Sequence, residues 1–243
     1  MRILAIDTST DVCSVALFNN GEITSVLKYC PKNHAQSILP MIQKLISEAG
    51  ICLNQLEVLA YNRGPGSFTG LRIGMGIVQG IGLALDLPLI GISSLAIVAE
   101  GAWHLTGIPR VLVALDAYMG EIYWGEYQRT NASYSSWNGI KTETVLKPLA
   151  VESKISNLNG IWCLAGNGWH TYQELKDIKR LYISSPISIP IAKNILSLAR
   201  AAFKEGKIFS AECSIEPYYM RNDLSWQPKE NKMKIFPDPE KDA

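Results

Sequence analysis

A chain of 243 residues can form one large domain or two lobes of about a hundred residues each, with interior enough for a proper core either way. A formal charge of +1 argues against a broad basic surface for nucleic acid, which needs clustered Lys and Arg. The five cysteines are odd in number and show neither CxxC nor zinc-ribbon spacing, which argues against a disulfide framework and for reduced thiols in a cytoplasmic protein.

Met1-Arg2-Ile3 leads straight into a strand pattern, and Asp7 arrives before any apolar run long enough for a signal peptide. Ile3–Asp7 reads as a short buried strand and Cys13–Phe18 as a second. The turn Asn19-Asn20-Gly21 leads to a third at Ile23–Leu27, completing a β-meander. Ile38, Met41, Ile42, Leu45, Ile46 and Ala49 recur at helical spacing, which predicts a helix with Asn33 as N-cap and Gly50 as its stop. Pro40 should bend that helix or mark its effective first turn. A strand at Val58–Tyr61, a glycine-rich helix to about Leu85, a strand at Leu87–Gly91 and a helix capped by Ser93 or Ser94 follow. Residues 73–103 are apolar, but Gln79, Asp86, Pro88 and Glu100 divide them into pieces too short for the ~30 Å of a bilayer, so no membrane contact is expected.

The pattern then repeats. Val111–Asp116 ends in an aspartate as Ile3–Asp7 does, and Glu121–Tyr127 follows as Cys13–Phe18 does, in the same register 109 residues later. Strands are expected near Ile140–Leu146 and at Ile161–Ala165, with helices after Gly168 and over Pro190–Glu205. Duplicated meander-plus-helix units predict an α/β protein of the actin-like (ASKHA, RNase H-like) kind, with a mixed sheet and flanking helices in each lobe. The expected division is a lobe over 1–106, a lobe over 107–220, and a charged, Pro-rich, disordered tail over 221–243.

The most distinctive stretch is Arg63-Gly64-Pro65-Gly66-Ser67-Phe68-Thr69-Gly70-Leu71-Arg72-Ile73-Gly74. Glycine inside a helix costs about 1 kcal/mol against alanine, so Gly74, Gly76, Gly80 and Gly82 need a compensating close contact. Gly70 with Gly74, and Gly76 with Gly80, are four apart and share a face, which predicts the approach of another helix.

This segment resembles the GPGSFTGLRIG signature of the TsaB family. Further resemblance lies in Ile3–Ser9, in His34 followed by Leu39-Pro40, in Asp116-Ala117 with Gly120–Tyr123, in Gly166-Asn167-Gly168 and in Pro217–Arg221, which leaves only the last twenty or so residues outside it. The resemblance implies a non-catalytic actin-like subunit without a cofactor. Its partner would be TsaD, with the ATPase TsaE in a larger complex. That complex would transfer a threonylcarbamoyl group to adenosine N6 beside the anticodon of tRNA, with TsaD doing the chemistry and this chain meeting tRNA only indirectly. The implied interface is Ser67, Phe68, Gly70, Arg72, Ile73, Gly74 and Ile77 with the facing His34, Ile38 and Ile42; without TsaD the same patch could support a homodimer. From composition alone, an exposed patch on these two helices and full burial within the lobe stand equally open.

Asp7-Thr8-Ser9-Thr10, with Asp116 in the second lobe, occupies the place where ATP-using members of this architecture hold phosphates. The residues read instead as a turn cap and a vestigial cleft, because no glycine stands beside Asp7 and the second lobe carries bulky Tyr118 and Met119. Tyr118 also departs from the arginine common in the family. The Gly64–Arg72 loop lacks the Lys and the Ser or Thr of a P-loop, and Pro65 removes a backbone donor. Ser67 has no GxSxG frame, and His34, His104 and His170 show no aspartate partner for it. TsaD carries a His-x-x-x-His metal pair on what looks like the corresponding helix; position 38 here is Ile, so His34 is expected to contact backbone or solvent and to hold no metal. Asp116, Glu121 and Glu126 read as structural. The competing classes are a residual ATPase or peptidase using the Asp7 cleft, and a homodimeric binding module.

Overall fold

A computed structural model describes residues 1–130, 137–180, 182–213 and 215–220; the tail expected over 221–243 and Arg221 lie outside the described residues. The first sheet holds β1 (Arg2–Asp7), β2 (Val12–Asn19), β3 (Glu22–Tyr29), β4 (Val58–Gly64) and β5 (Leu89–Ser93) in the order β3-β2-β1-β4-β5. The second holds β6 (Arg110–Asp116), β7 (Ile122–Arg129), β8 (Trp137–Asn138), β9 (Thr144–Leu146), β10 (Cys163–Ala165) and β11 (Ile183–Ser184) in the order β11-β10-β6-β7-β8, with β9 also pairing β7. In each sheet the first strand of its copy is central, antiparallel to the strand after it and parallel to the later one. This is the duplicated actin-like topology. The two copies are one residue out of step: Asp7 faces Ser14, whereas Asp116 faces Ile122, so the second turn is a residue shorter than a fixed offset requires.

The helices are α1 (His34–Glu48), α2 (Phe68–Leu85), α3 (Ser94–Thr106), α4 (Val151–Ile155), α5 (Gly168–Thr171), α6 (Lys176–Arg180) and α7 (Ala192–Lys204). Alternation along β1 and β2 sends Leu4, Ile6, Val15 and Leu17 to one face, where they meet Ile38, Ile42 and Leu45 of α1 and Met75 and Val78 of α2. Ile3, Ala5 and Ala16 point to the other face and pack on Ile195, Leu196 and Ala199 of α7. Leu95, Val98 and Ala102 of α3 cover Val111, Val113 and Cys163 of the second sheet, and Trp124, Trp162 and Trp169 fill its far side. The last helix of each copy thus packs substantially on the other copy's sheet, and a boundary at residue 106 divides the chain order but not the packing.

One expected strand is shorter than its apolar pattern suggests. Residues Ile140–Thr142 form a 3-10 turn, and only Thr144–Leu146 pairs with β7. The reason is local: Thr142 Oγ1 lies 2.6 Å from the Gly139 carbonyl and accepts the Glu126 amide at 2.8 Å, which curls the backbone before pairing can start.

Candidate functional site

The turns after β1 and β6 face each other across a cavity of about 300 Å³ lined by Ser9, Thr10, Gly66, Ser67, Asp116 and Tyr118 among others. Both aspartates cap their own turns. Asp7 Oδ1 accepts the Ser9 amide at 2.9 Å and Asn62 Nδ2 at 3.1 Å; Asp116 Oδ1 accepts the Tyr118 amide at 2.9 Å and the Tyr172 hydroxyl at 2.7 Å. Burial raises Asp7 to a pKa of about 6 despite the hydrogen bonds from Ser9 and Asn62, and its Oδ2 is buried without a hydrogen-bond partner.

The hydroxyls that line the turn are held by internal hydrogen bonds, one of them as a donor. Thr8 Oγ1 donates to the Gly70 carbonyl at 2.7 Å, Thr10 Oγ1 accepts the Val12 amide at 3.2 Å, and Ser9 Oγ accepts Asn62 Nδ2 at 2.9 Å. The signature loop itself lies on the turn: the Ser67 amide donates to the Ser9 carbonyl at 2.8 Å, and a Cβ at Gly66 would stand 2.8 Å from that same oxygen. On the second-lobe side, Tyr118 and Met119 are largely exposed and hold positive φ angles of 58° and 55°.

The same contacts correct the reading of the helical glycines. Ser67 caps α2 by accepting the Gly70 amide at 3.2 Å. A Cβ at Gly70 would lie 2.1 Å from the Thr8 carbonyl oxygen, and one at Gly74 would lie 2.4 Å from Thr8 Oγ1. These two glycines let α2 sit on the β1–β2 turn of its own lobe, and among the described residues the closest approach to each comes from Thr8. Ile38 and Ile42 are likewise 0% and 2% exposed beneath α1, and His34 is buried with Nε2 2.6 Å from the Thr10 carbonyl. His34, Ile38, Ile42, Gly70 and Gly74 therefore lie in the interior of this chain.

A different phase of α2 is open. Phe68, Thr69, Arg72, Gly76, Gly80 and Leu83 are exposed, with Ile73 and Ile77 half-buried beside them. A Cβ at Gly76 or Gly80 would meet nothing within 4 Å. Two helix-breaking residues thus stand on a solvent face with no packing reason among the described residues. At the start of this face the Arg72 guanidinium lies 3.5 Å from the Phe68 ring centroid and 5.4 Å from that of Tyr219. Leu39, 53% exposed, adds an apolar side chain from neighbouring α1. Of the residues expected at the interface, Phe68, Arg72, Ile73 and Ile77 come together here, and Ser67 stands at the edge as the cap. The sequence reading marked Gly76 and Gly80 as a face for another helix without naming them in the interface, and it missed Leu83, Leu39 and Tyr219; the signal was the phase of Leu71, Gly74, Met75 and Val78, which marks the buried stripe and leaves the next one outside.

The Glu126 carboxylate accepts Trp124 Nε1 at 3.0 Å, and the backbone carbonyl of Glu121 accepts the Tyr172 hydroxyl at 2.9 Å. His34 has neighbours that helical spacing could not reveal, the buried thiols of Cys13 and Cys30.

Comparison with known proteins agrees with this architecture. The family model described as TsaD, tRNA N6-adenosine threonylcarbamoyltransferase, matches residues 28–207. The Escherichia coli tRNA threonylcarbamoyladenosine biosynthesis protein TsaB is 46% identical over 93% of this chain and 97% of its own length. The Haemophilus influenzae protein of the same name is 38% identical over 93% and 96%. Among solved structures, YeaZ from Pseudomonas aeruginosa superposes with a TM-score of 0.76 at 37% identity, covering 90% of this chain and all of that one.

Proposed function

The chain belongs to the TsaB family, and from that premise we propose that it is a non-catalytic cytoplasmic subunit that binds and supports a TsaD-type transferase in threonylcarbamoyladenosine formation on tRNA. The observation that carries the reading is the open face of α2, where Gly76 and Gly80 are bare of neighbours between exposed Phe68, Arg72 and Leu83. Missing side chains let a partner helix come close enough for backbone contact, and the flanking apolar residues supply the area that an interface core needs. TsaE would join through the transferase, and tRNA would be held mainly by the partners, consistent with a net charge of +1. A homodimer through the same face would be the resting form in the transferase's absence.

The enzyme reading is weaker because the Thr8 hydroxyl and the Ser9 amide of the Asp7 turn donate to internal acceptors. Light scattering on the chain mixed with a TsaD-type protein from the same source tests the proposal. A one-to-one complex is expected for wild type and its loss for Gly80→Leu with the monomer still folded. Wild-type affinity in Gly80→Leu would reject this face as the interface.

A further inference from the structure

Three buried residues at the open end of the meander take no part in the partner face. Cys13 is the second residue of β2, Cys30 directly follows β3, and His34 opens α1. Cross-strand pairing puts Cys13 opposite Lys28, two residues short of Cys30. The Cys30 amide donates to the Asp11 carbonyl at 2.9 Å, which draws the end of β3 over the start of β2. The two sulfurs and a ring nitrogen of His34 consequently lie within 4.8 Å of one another, with the three residues 0%, 4% and 7% exposed.

One ring nitrogen of the histidine is fixed by a backbone carbonyl. Its Nε2 is 2.6 Å from the Thr10 carbonyl oxygen, which can only accept, so Nε2 carries the ring proton and the lone pair of a neutral imidazole is on Nδ1. Metal-bound histidines are commonly held in this way, with the other ring N–H given to a backbone carbonyl. Two thiols packed for apolar reasons alone would not need an imidazole with a fixed tautomer beside them.

We propose that Cys13, Cys30 and His34 form a binding site for one thiophilic divalent ion, Zn²⁺, that ties the β2–β3 hairpin to the first turn of α1. Tetrahedral zinc with Zn–S near 2.3 Å sets its sulfur ligands roughly 3.7 Å apart, a spacing compatible with donors that lie within 4.8 Å of one another. On binding, two S–H bonds break, two Zn–S bonds form and two protons leave to solvent, with no change of oxidation state. Three protein donors leave a fourth position for water. The ion would fix the start of α1, the helix that lies beside the open face of α2.

The test uses the full chain with the exposed thiols removed as Cys52→Ser and Cys213→Ser, reduced, equilibrated with Zn²⁺ alone and passed through a desalting column. We expect about one zinc per chain, about two protons released per ion, and thiolate-to-cobalt charge-transfer absorption when Co²⁺ is substituted. His34→Gln and Cys30→Ser should each weaken zinc retention tenfold or more while circular dichroism stays that of the parent. A parent that retains no zinc, or equal zinc in parent and folded His34→Gln, overturns the proposal. Should Cys30→Ser fail to fold, His34→Gln and the cobalt spectrum of the parent decide.

Discussion

Replacing Gly76 and Gly80 together by alanine separates what α2 does for its own lobe from what it offers a partner. Each position is helical, and an added methyl would meet nothing within 4 Å, so there is neither a clash nor a packing gain to reckon with. What remains is backbone entropy. A glycine inside a helix costs about 1 kcal/mol relative to alanine, which makes the double variant about 2 kcal/mol more stable as an isolated chain. In a chain of this length that corresponds to a rise in Tm of roughly 4–8 °C. The assay is calorimetric or denaturant unfolding of the monomer, at a dilution where light scattering shows no dimer. The same variant should bind the TsaD-type partner more weakly than wild type, because two methyls now stand where a backbone must approach. A Tm that is unchanged or lower in the dilute monomer would show that these glycines already serve an internal contact, and the interface argument would fail with it.

Gly74→Ala should behave in the opposite way, destabilising by more than about 2 kcal/mol, since its Cβ would lie 2.4 Å from a Thr8 hydroxyl that is tied to the Gly70 carbonyl; equal or raised stability in urea unfolding would contradict the packing. Glu100 is fully buried. Burial alone would raise its pKa, but hydrogen bonds from His104, Trp137 and Ser197 and the Arg129 charge hold it at about 2, against an ordinary 4.5. Its folded value is depressed, so the stabilisation is present above pH 4.5 and lost as pH falls toward 2, and it amounts to about 3 kcal/mol. Glu100→Gln should remove most of this acid-limb slope in unfolding measured against pH. Asp7 has the reverse sign: with its pKa raised from 3.8 to about 6, the favourable contribution is present below 3.8 and lost as pH rises to 6. Asp7→Asn should abolish that decline, worth about 3 kcal/mol, and a wild-type pH profile in the variant would refute the buried-carboxyl assignment.

Much of the fold was legible because its signals are local. The meander of β1 to β3, the cap at Ser93 and the repeated strand ending in aspartate all follow from alternation, turn residues and N-cap chemistry within a few residues of sequence. The candidate site was less legible because its meaning depends on which stripe of α2 faces inward. Gly70 and Gly74 look identical to Gly76 and Gly80 as a spacing, and only the position of Thr8, brought in by β1, decides that the first pair is interior and the second exposed. Ile38 and Ile42 turn inward for the same reason: a helix beside an open face still turns its most apolar stripe to its own sheet. The crossing of α3 and α7 onto each other's sheets, and the meeting of Cys13, Cys30 and His34, depend on contacts between separate elements that no window of sequence contains.

The most direct test of the central claim is a reconstituted threonylcarbamoyl transfer to tRNA with the TsaD-type and TsaE-type partners, comparing Gly80→Leu with Asp7→Asn in this chain. A subunit that works through the open face of α2 predicts that transfer is lost with Gly80→Leu and retained with Asp7→Asn. Retention with Gly80→Leu and loss with a folded Asp7→Asn would place the chemistry in the interlobe cleft and contradict the account.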